Sequence, residues 1–270
     1  MKLSNVFSRR NRILLRELVV TDFKLRYQGS VLGYAWSLLK PLFMFAILYF
    51  VFGVMIKLGS VEHYAVYLLL GIVLWTFFSE ATNQGLSSII ARGDIMRKIS
   101  FPKYIIVLST TISALVNLAL NLSVVIIFML INGVSFHFSA FMFPLYIVEL
   151  YALALGVALF LSALNVKYRD TGHIWEIVMQ AAFYGTPIIY SLSLVVKESA
   201  LIAKIMVLLN PVAQIIQDAR YSLITHETIT VSSLFQNGWY VFIPLAIVAC
   251  VLTIGILYFK KNSKYFAENI

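Results

Sequence analysis

Two carboxylates, Glu80 and Glu149, sit within long apolar stretches of a 270-residue chain. A buried acid in such a run is the residue type that relays protons through transporters. Glu80 has Asn83 and Gln84 as neighbours, and Glu149 has Tyr146 and Tyr151. The alternative is a hydrogen-bonded group near a helix end, satisfied by a facing helix. With only two such acids and no basic partner deep in any apolar run, this second reading is preferred. His63, His137, His173 and His226 stand far apart and lack any H-E-x-x-H spacing, so they read as loop or interface residues. Cys250 is the single cysteine, which excludes an intrachain disulfide and a cysteine-based metal site. Within its apolar run it reads as a small buried residue. No G-x-x-x-x-G-K-[ST] sequence occurs, so the chain does not hold ATP phosphates by that loop. Asp170 with Glu176 falls short of the acidic cluster that a membrane glycosyltransferase would need.

The stretch 91–103 mixes basic and apolar side chains: Arg92, Arg97 and Lys98 alternate with Ile95, Met96, Ile99 and Phe101, before Pro102. A solvated loop has little use for that many apolar groups. Ile95, Met96 and Ile99 share one face of a short helix ended by Pro102, a knob for another protein's groove or an interfacial helix on lipid. Aromatic residues make up 14% of the chain and many fall inside apolar runs, including Tyr34, Trp36, Tyr49, Phe183, Tyr184 and Tyr190. Lipid-facing packing accounts for most of them. A stacking wall for sugar rings is the sharper reading.

The elements that must position these residues are membrane helices. The chain is 61% hydrophobic and 12% charged, about half the charged fraction of a soluble domain. A bilayer solvates that apolar surface, whereas one soluble core of this size does not. Six runs reach the roughly 20 residues needed to cross: 34–56, 64–90, 104–131, 141–166, 174–194 and 239–259. The net charge of +9 comes from short basic clusters between these runs rather than a nucleic-acid-binding face. With the N-terminus inside, 17 of the 21 lysines and arginines fall in cytoplasmic segments. That bias places both termini in the cytoplasm.

Two regions do not span. Residues 9–33 read as an amphipathic interfacial helix, with Leu15, Val19, Phe23 and Tyr27 along one side and Leu14 and Leu18 adjacent. Arg9, Arg12, Arg16 and Lys24 lie toward the other side. Residues 195–238 are too apolar for an exposed loop; 200–209 is too short to cross, and Asn210-Pro211 breaks it ahead of a new helix at 212–224. Two short helices dipping back from the outer face fit the pattern, and they need a covering of protein or a cavity. No internal repeat is evident, which counts against inverted-repeat transporters.

The stretch Arg26-Tyr27-Gln28-Gly29-Ser30-Val31-Leu32-Gly33-Tyr34-Ala35-Trp36, followed by Leu39-Lys40-Pro41, resembles the permease subunits of ABC exporters for bacterial cell-surface polysaccharides. These are the O-antigen, teichoic-acid and rhamnose-polysaccharide exporters of the type 2 permease class. Phe101-Pro102, Asn165 with Tyr168-Arg169-Asp170, and Asn210-Pro211 match in order and spacing. The resemblance spans essentially the whole chain and implies a single all-α permease domain over 1–270. It implies a homodimer with two copies of a separate ATPase, which holds the ATP and magnesium, so that this chain binds no cofactor and does no covalent chemistry. It makes about Arg92–Pro102 the coupling segment. The N-terminal helix, with Arg12, Arg16, Phe23, Arg26 and Tyr27, becomes a gate. Asn210 and Pro211 fall in an external re-entrant cap, and Tyr34, Trp36, Tyr49, Phe183, Tyr184 and Tyr190 fall along the channel. The implied substrate is a lipid-linked glycan crossing the bacterial cytoplasmic membrane. Export of a drug or lipid by the same class, and a proton-coupled secondary transporter, stand as rivals.

Overall fold

The computed structural model describes residues 8–27, 29–57, 61–98, 101–235 and 237–266, with the side chains of 23, 25–27, 97 and 98 outside it. Every element among the described residues is helical. Helix α1 (Arg9–Tyr27) opens with Ser8, whose Oγ accepts from the Asn11 N–H at 3.4 Å. Gly29 and Gly33 follow with φ of +79° and +48°, a left-handed geometry that a side chain would strain. These two glycines turn the chain from α1 into the first span. That span runs from a single turn at Gly33–Ala35 through α2 (Trp36–Leu48) and widens into a π-helical end at Tyr49–Met55.

Helices α3 (Tyr64–Ala91), α5 (Tyr104–Ile131) and α6 (Phe143–Lys167) form the packed centre, joined by the short α4 (Gly93–Lys98). Helix α3 is buried along most of its length and the first span almost nowhere. A helix apolar all round yet little buried is one that lipid or another subunit must cover. Helix α7 (Thr171–Gly185) leans on α3, where Trp175 Nε1 donates to Thr82 Oγ1 at 3.3 Å. Asn165 Nδ2, near the end of α6, donates to the Leu86 carbonyl at 3.2 Å. A cap at one end of the bundle is built from α8 (Leu192–Glu198), α9 (Ala200–Leu209), α10 (Pro211–Leu223) and α11 (Val231–Leu234). Finally α12 (Phe242–Asn262) packs along α6, with backbones touching where Gly156 meets Gly255.

Among the described residues, five helical stretches are long and apolar enough to cross a membrane: Gly33–Met55, Tyr64–Ala91, Tyr104–Ile131, Phe138–Lys167 and Gly238–Asn262. The fifth apolar run of the sequence departs from expectation. Helix begins earlier, at Thr171, and stops at Gly185 rather than continuing to 194. Pro187 disfavours helix at the residue before it, so Thr186 is extended and the chain remains non-helical to Ser191. Fifteen helical residues span about 22 Å. Cys250 is also corrected: it is exposed, because α12 turns an apolar outer face away from the protein.

The break in the fifth run leaves carbonyls without helical partners, and α10 supplies the donors. Arg220 is fully buried; its Nε donates to Tyr67 O at 3.0 Å, Nη1 to Pro187 O at 2.6 Å and Nη2 to Ile188 O at 2.7 Å. Nη1 also reaches Gln217 Oε1 at 3.1 Å, and the guanidinium lies 3.5 Å from the centroid of the Tyr67 ring. Tyr64 Oη completes the clasp on Ile189 O at 2.7 Å. In the sequence Arg220 is one of the four basic residues outside the 17 assigned to cytoplasmic segments, with nothing to mark it as buried.

Candidate functional site: a central cleft and the two ends of the bundle

A cleft of about 1000 Å³ opens between the first span, α3 and α7. Its apolar wall is aromatic: Trp36 and Phe43 from the first span face Trp75, Phe183 and Tyr184. Trp75 and Phe183 pack with tilted rings, 5.8 Å between centroids, and Phe183 meets Tyr184 edge-on at 5.4 Å. Its polar wall comes from α3, where Thr76, Ser79, Glu80, Asn83 and Gln84 recur at helical spacing. Asn117 of α5 donates to Glu80 Oε1 at 2.7 Å, and Gln84 to the same oxygen at 3.0 Å. Glu80 is thus held by a facing helix. Gln180 and Glu176 on α7 and Lys40 on α2 are exposed at the cleft. Aromatic faces beside amides, hydroxyls and carboxylates suit a ligand with both apolar and hydroxyl-rich surfaces, and Lys40 adds a cation for an anionic group.

Of the residues expected along the channel, Trp36, Phe183 and Tyr184 line this cleft. Phe183 is largely buried against Trp75, whereas Trp36 and Tyr184 are 45% and 65% exposed. Tyr34, Tyr49 and Tyr190 do not line it. Tyr34 is exposed at the start of the span, and Tyr49 stacks between Phe45 and Tyr64. Tyr190 Oη donates back to the Tyr184 carbonyl at 3.1 Å. Of the polar stripe on α3, the sequence offers Glu80, Asn83 and Gln84 as neighbours, but not the cleft that they line together with Thr76 and Ser79. The stripe's signal was the recurrence of polar residues at steps of three and four.

At the far end α9 and α10 meet at 99°. Asn210 Oδ1 accepts from Val212 and Ala213 N–H groups at 3.1 and 3.2 Å, and Pro211 takes the first helical position, which has no need of its missing N–H. Asn210 Nδ2 also donates to Thr186 Oγ1 at 2.9 Å, tying the cap to the break after α7. Beneath α10, Glu149 is 8% exposed and its Oε1 has no hydrogen-bond partner among the described residues. Gln214 beside it donates to Asp218 Oδ2 at 2.6 Å. The satisfied-group reading therefore fits Glu80 better than Glu149. Three histidines that are distant in sequence, His63, His137 and His226, meet in a pocket of about 380 Å³ with Glu62 and Glu227. Among the described residues, no group of three metal-capable side chains is placed to hold an ion.

On the side where α1 and α4 lie, Asp22 of α1 forms an ion pair with Arg92, whose Nη1 donates to Ser109 Oγ of α5 at 2.8 Å. Arg92 is thus turned inward to fasten α1 to α5, rather than outward as an open docking group. Burial draws its pKa down from the ordinary value by removing water from the guanidinium. The side of α1 that packs on α5 is centred on Leu18 and reaches Asp22, next to the Leu15–Val19 row. Arg12 and Arg16 are exposed, and the side chains of Phe23, Arg26 and Tyr27 lie outside the described residues. On α4, Ile95 is exposed. Met96 and Phe101 are half-buried against a cluster around Ile89, Ile106 and Phe259. Pro102 is half-buried at the start of α5. The side chains of Arg97 and Lys98, and all of Ile99, lie outside the described residues.

An all-helical bundle with several membrane-length helices and a mixed aromatic and polar cleft between them is the architecture of a membrane transport protein. The family model for the ABC-2 type transporter matches residues 13–224, and the chain belongs to that family. Among curated proteins it is similar to two "O-antigen export system permease protein RfbA" sequences of Klebsiella pneumoniae. Each is 29% identical over 260 residues, covering 94% of both chains. A protein of the same name from Myxococcus xanthus is 29% identical over 216 residues, 80% of this chain and 81% of that one.

Proposed function

We propose that two copies of this chain form the membrane pathway of an ATP-driven exporter. Its cargo would be a lipid-linked cell-surface polysaccharide, an O-antigen-like glycan or a teichoic acid, and the membrane the bacterial cytoplasmic membrane. ATP and magnesium bind and react on a separate ATPase present in two copies, and both termini of this chain face the cytoplasm. The observation that carries the reading is the cleft between the first span, α3 and α7. Trp36 and Tyr184 offer ring faces to pyranoses, the amides of Asn83, Gln84 and Gln180 offer hydrogen bonds, and Lys40 offers a charge to the carrier's phosphate. The cleft is walled on one side only by the sparsely packed first span and α7. A second copy facing it would close a channel between the two.

The ATPase would push on 91–103, with Ile95 as the exposed apolar contact, and the Asp22–Arg92 pair would pass that motion to α1 as a gate. The bent α9–α10 pair, pinned by Asn210 and Arg220, would cap the outer exit. The membership in the ABC-2 family and the names of the Klebsiella and Myxococcus relatives support the same cargo class. Co-purification tests the partner. Tagged chain expressed with an ABC ATPase subunit from the same genome should elute as a complex, and Ile95→Asp should release the ATPase while leaving the chain folded. Stable isolation without any ATPase, joined to proton-driven transport lost in Glu149→Gln, would contradict the proposal.

A further inference from the structure

Sharing no lining residue with the cleft, a groove of about 630 Å³ lies between α5, α6 and α12. Its walls are apolar: Tyr104 and Leu108 of α5, Leu155 and Leu159 of α6, and Ile256 and Phe259 of α12. Its rim is basic, formed by Lys103, Lys260 and Lys264, and no carboxylate lines it among the described residues. From Lys103 to Leu108, and from Lys260 back to Ile256, the groove runs about 6–8 Å along the helices below that rim. Lys103 is fixed, donating to Ser263 O at 2.6 Å and lying 5.6 Å from the Phe266 ring centroid. Lys260 and Lys264 are exposed.

An apolar slot open to the membrane, with positive charge at one end only, matches an acyl chain carrying an anionic head. Three ammonium groups within one rim repel each other, and an anion between them removes that cost. Water would satisfy the lysines but would lie poorly against the leucine walls. We propose that this groove is a binding site for an anionic phospholipid, with one acyl chain along Leu108, Leu155 and Ile256. Its phosphate sits between Lys260 and Lys264, and the lipid braces α12 against α5. The inference needs only the membrane class of the protein and is independent of its cargo.

The test is native mass spectrometry of the full-length chain, purified in detergent with any bound ATPase and supplied with dioleoyl phosphatidylglycerol or dioleoyl phosphatidylcholine. The wild type should retain phosphatidylglycerol in preference. Changing Lys260 and Lys264 together to Gln should weaken phosphatidylglycerol by roughly fivefold for each lysine, leaving phosphatidylcholine unchanged. Ile256→Trp, which fills the slot from an exposed position, should weaken both lipids. Equal retention of the two lipids by wild type, or undiminished phosphatidylglycerol on the double Gln variant, overturns the proposal. Displacement of phosphatidylglycerol by a polyprenyl phosphate at equimolar concentration also overturns it, since the groove would then belong to the cargo path.

Discussion

The clasp of Arg220 on the broken segment after α7 yields a prediction with a worked magnitude. Arg220→Ala removes four hydrogen bonds from a charged donor and leaves the Pro187 and Ile188 carbonyls of the broken segment without their donor in a buried site, while Tyr67 O keeps its helical partner within α3. Losing one partner of a buried charged network costs about 3–5 kcal/mol. For a chain of this size that corresponds to a fall in melting temperature on the order of 10 °C. Gly71 adds a second arm, because a methyl group there would overlap Arg220 Nη2. Gly71→Ala should therefore cost about 1–3 kcal/mol by overpacking in the wild type. In the Arg220→Ala background the obstruction is gone, and the same change should be neutral or favourable, as alanine is in a helix. The assay is thermal unfolding of the four proteins in one detergent, read as a double-mutant cycle. The reasoning is refuted if the two costs add to within about 0.5 kcal/mol. It is equally refuted if Arg220→Ala melts within about 2 °C of wild type.

Other consequences follow from the same geometry. Arg92→Lys keeps the charge but not the planar fork, so it should loosen α1 from α5, seen as faster proteolysis of the N-terminal helix. Trp36→Ala and Tyr184→Ala change exposed cleft residues and should slow export at least tenfold with little change in melting temperature, checked by paired transport and unfolding assays. Glu80→Gln keeps an acceptor for Asn117 and should preserve most export, whereas a proton relay through Glu80 predicts its loss. Asn210→Ala removes the cap of α10 and the tie to Thr186, and should cost about 1–2 kcal/mol in the same unfolding assay.

Much of this was legible in the chain itself. The uncharged run at Tyr104–Ile131 became a helix with those ends, and the break at Asn210-Pro211 announced both the end of α9 and the start of α10. Length and hydrophobicity are local properties, so local reading recovers them. The fifth run misled because Ile188–Leu194 stays apolar past Pro187, and hydropathy does not see a missing backbone donor. Arg220 was legible as a charge but not as a buried one, since its three carbonyl acceptors lie 32 to 153 residues away. The meeting of His63, His137 and His226 likewise depends on tertiary placement. Arg92 shows the reverse error: a basic residue in a basic loop reads as exposed until Asp22 is brought against it. The cleft was half visible: some of its aromatics and Glu80, Asn83 and Gln84 of its polar wall are named by the sequence, but their meeting across three helices is tertiary.

The central claim is that this chain conducts a lipid-linked glycan under ATP control through the cleft beside Trp36 and Tyr184. The most direct measurement reconstitutes the chain with an ABC ATPase subunit from the same genome in proteoliposomes and follows a labelled lipid-linked glycan across the bilayer. The account predicts movement that requires ATP hydrolysis, persists when the proton gradient is collapsed, and falls sharply in Trp36→Ala. Movement driven by a proton gradient without ATP, or unchanged in Trp36→Ala and Tyr184→Ala, would contradict it.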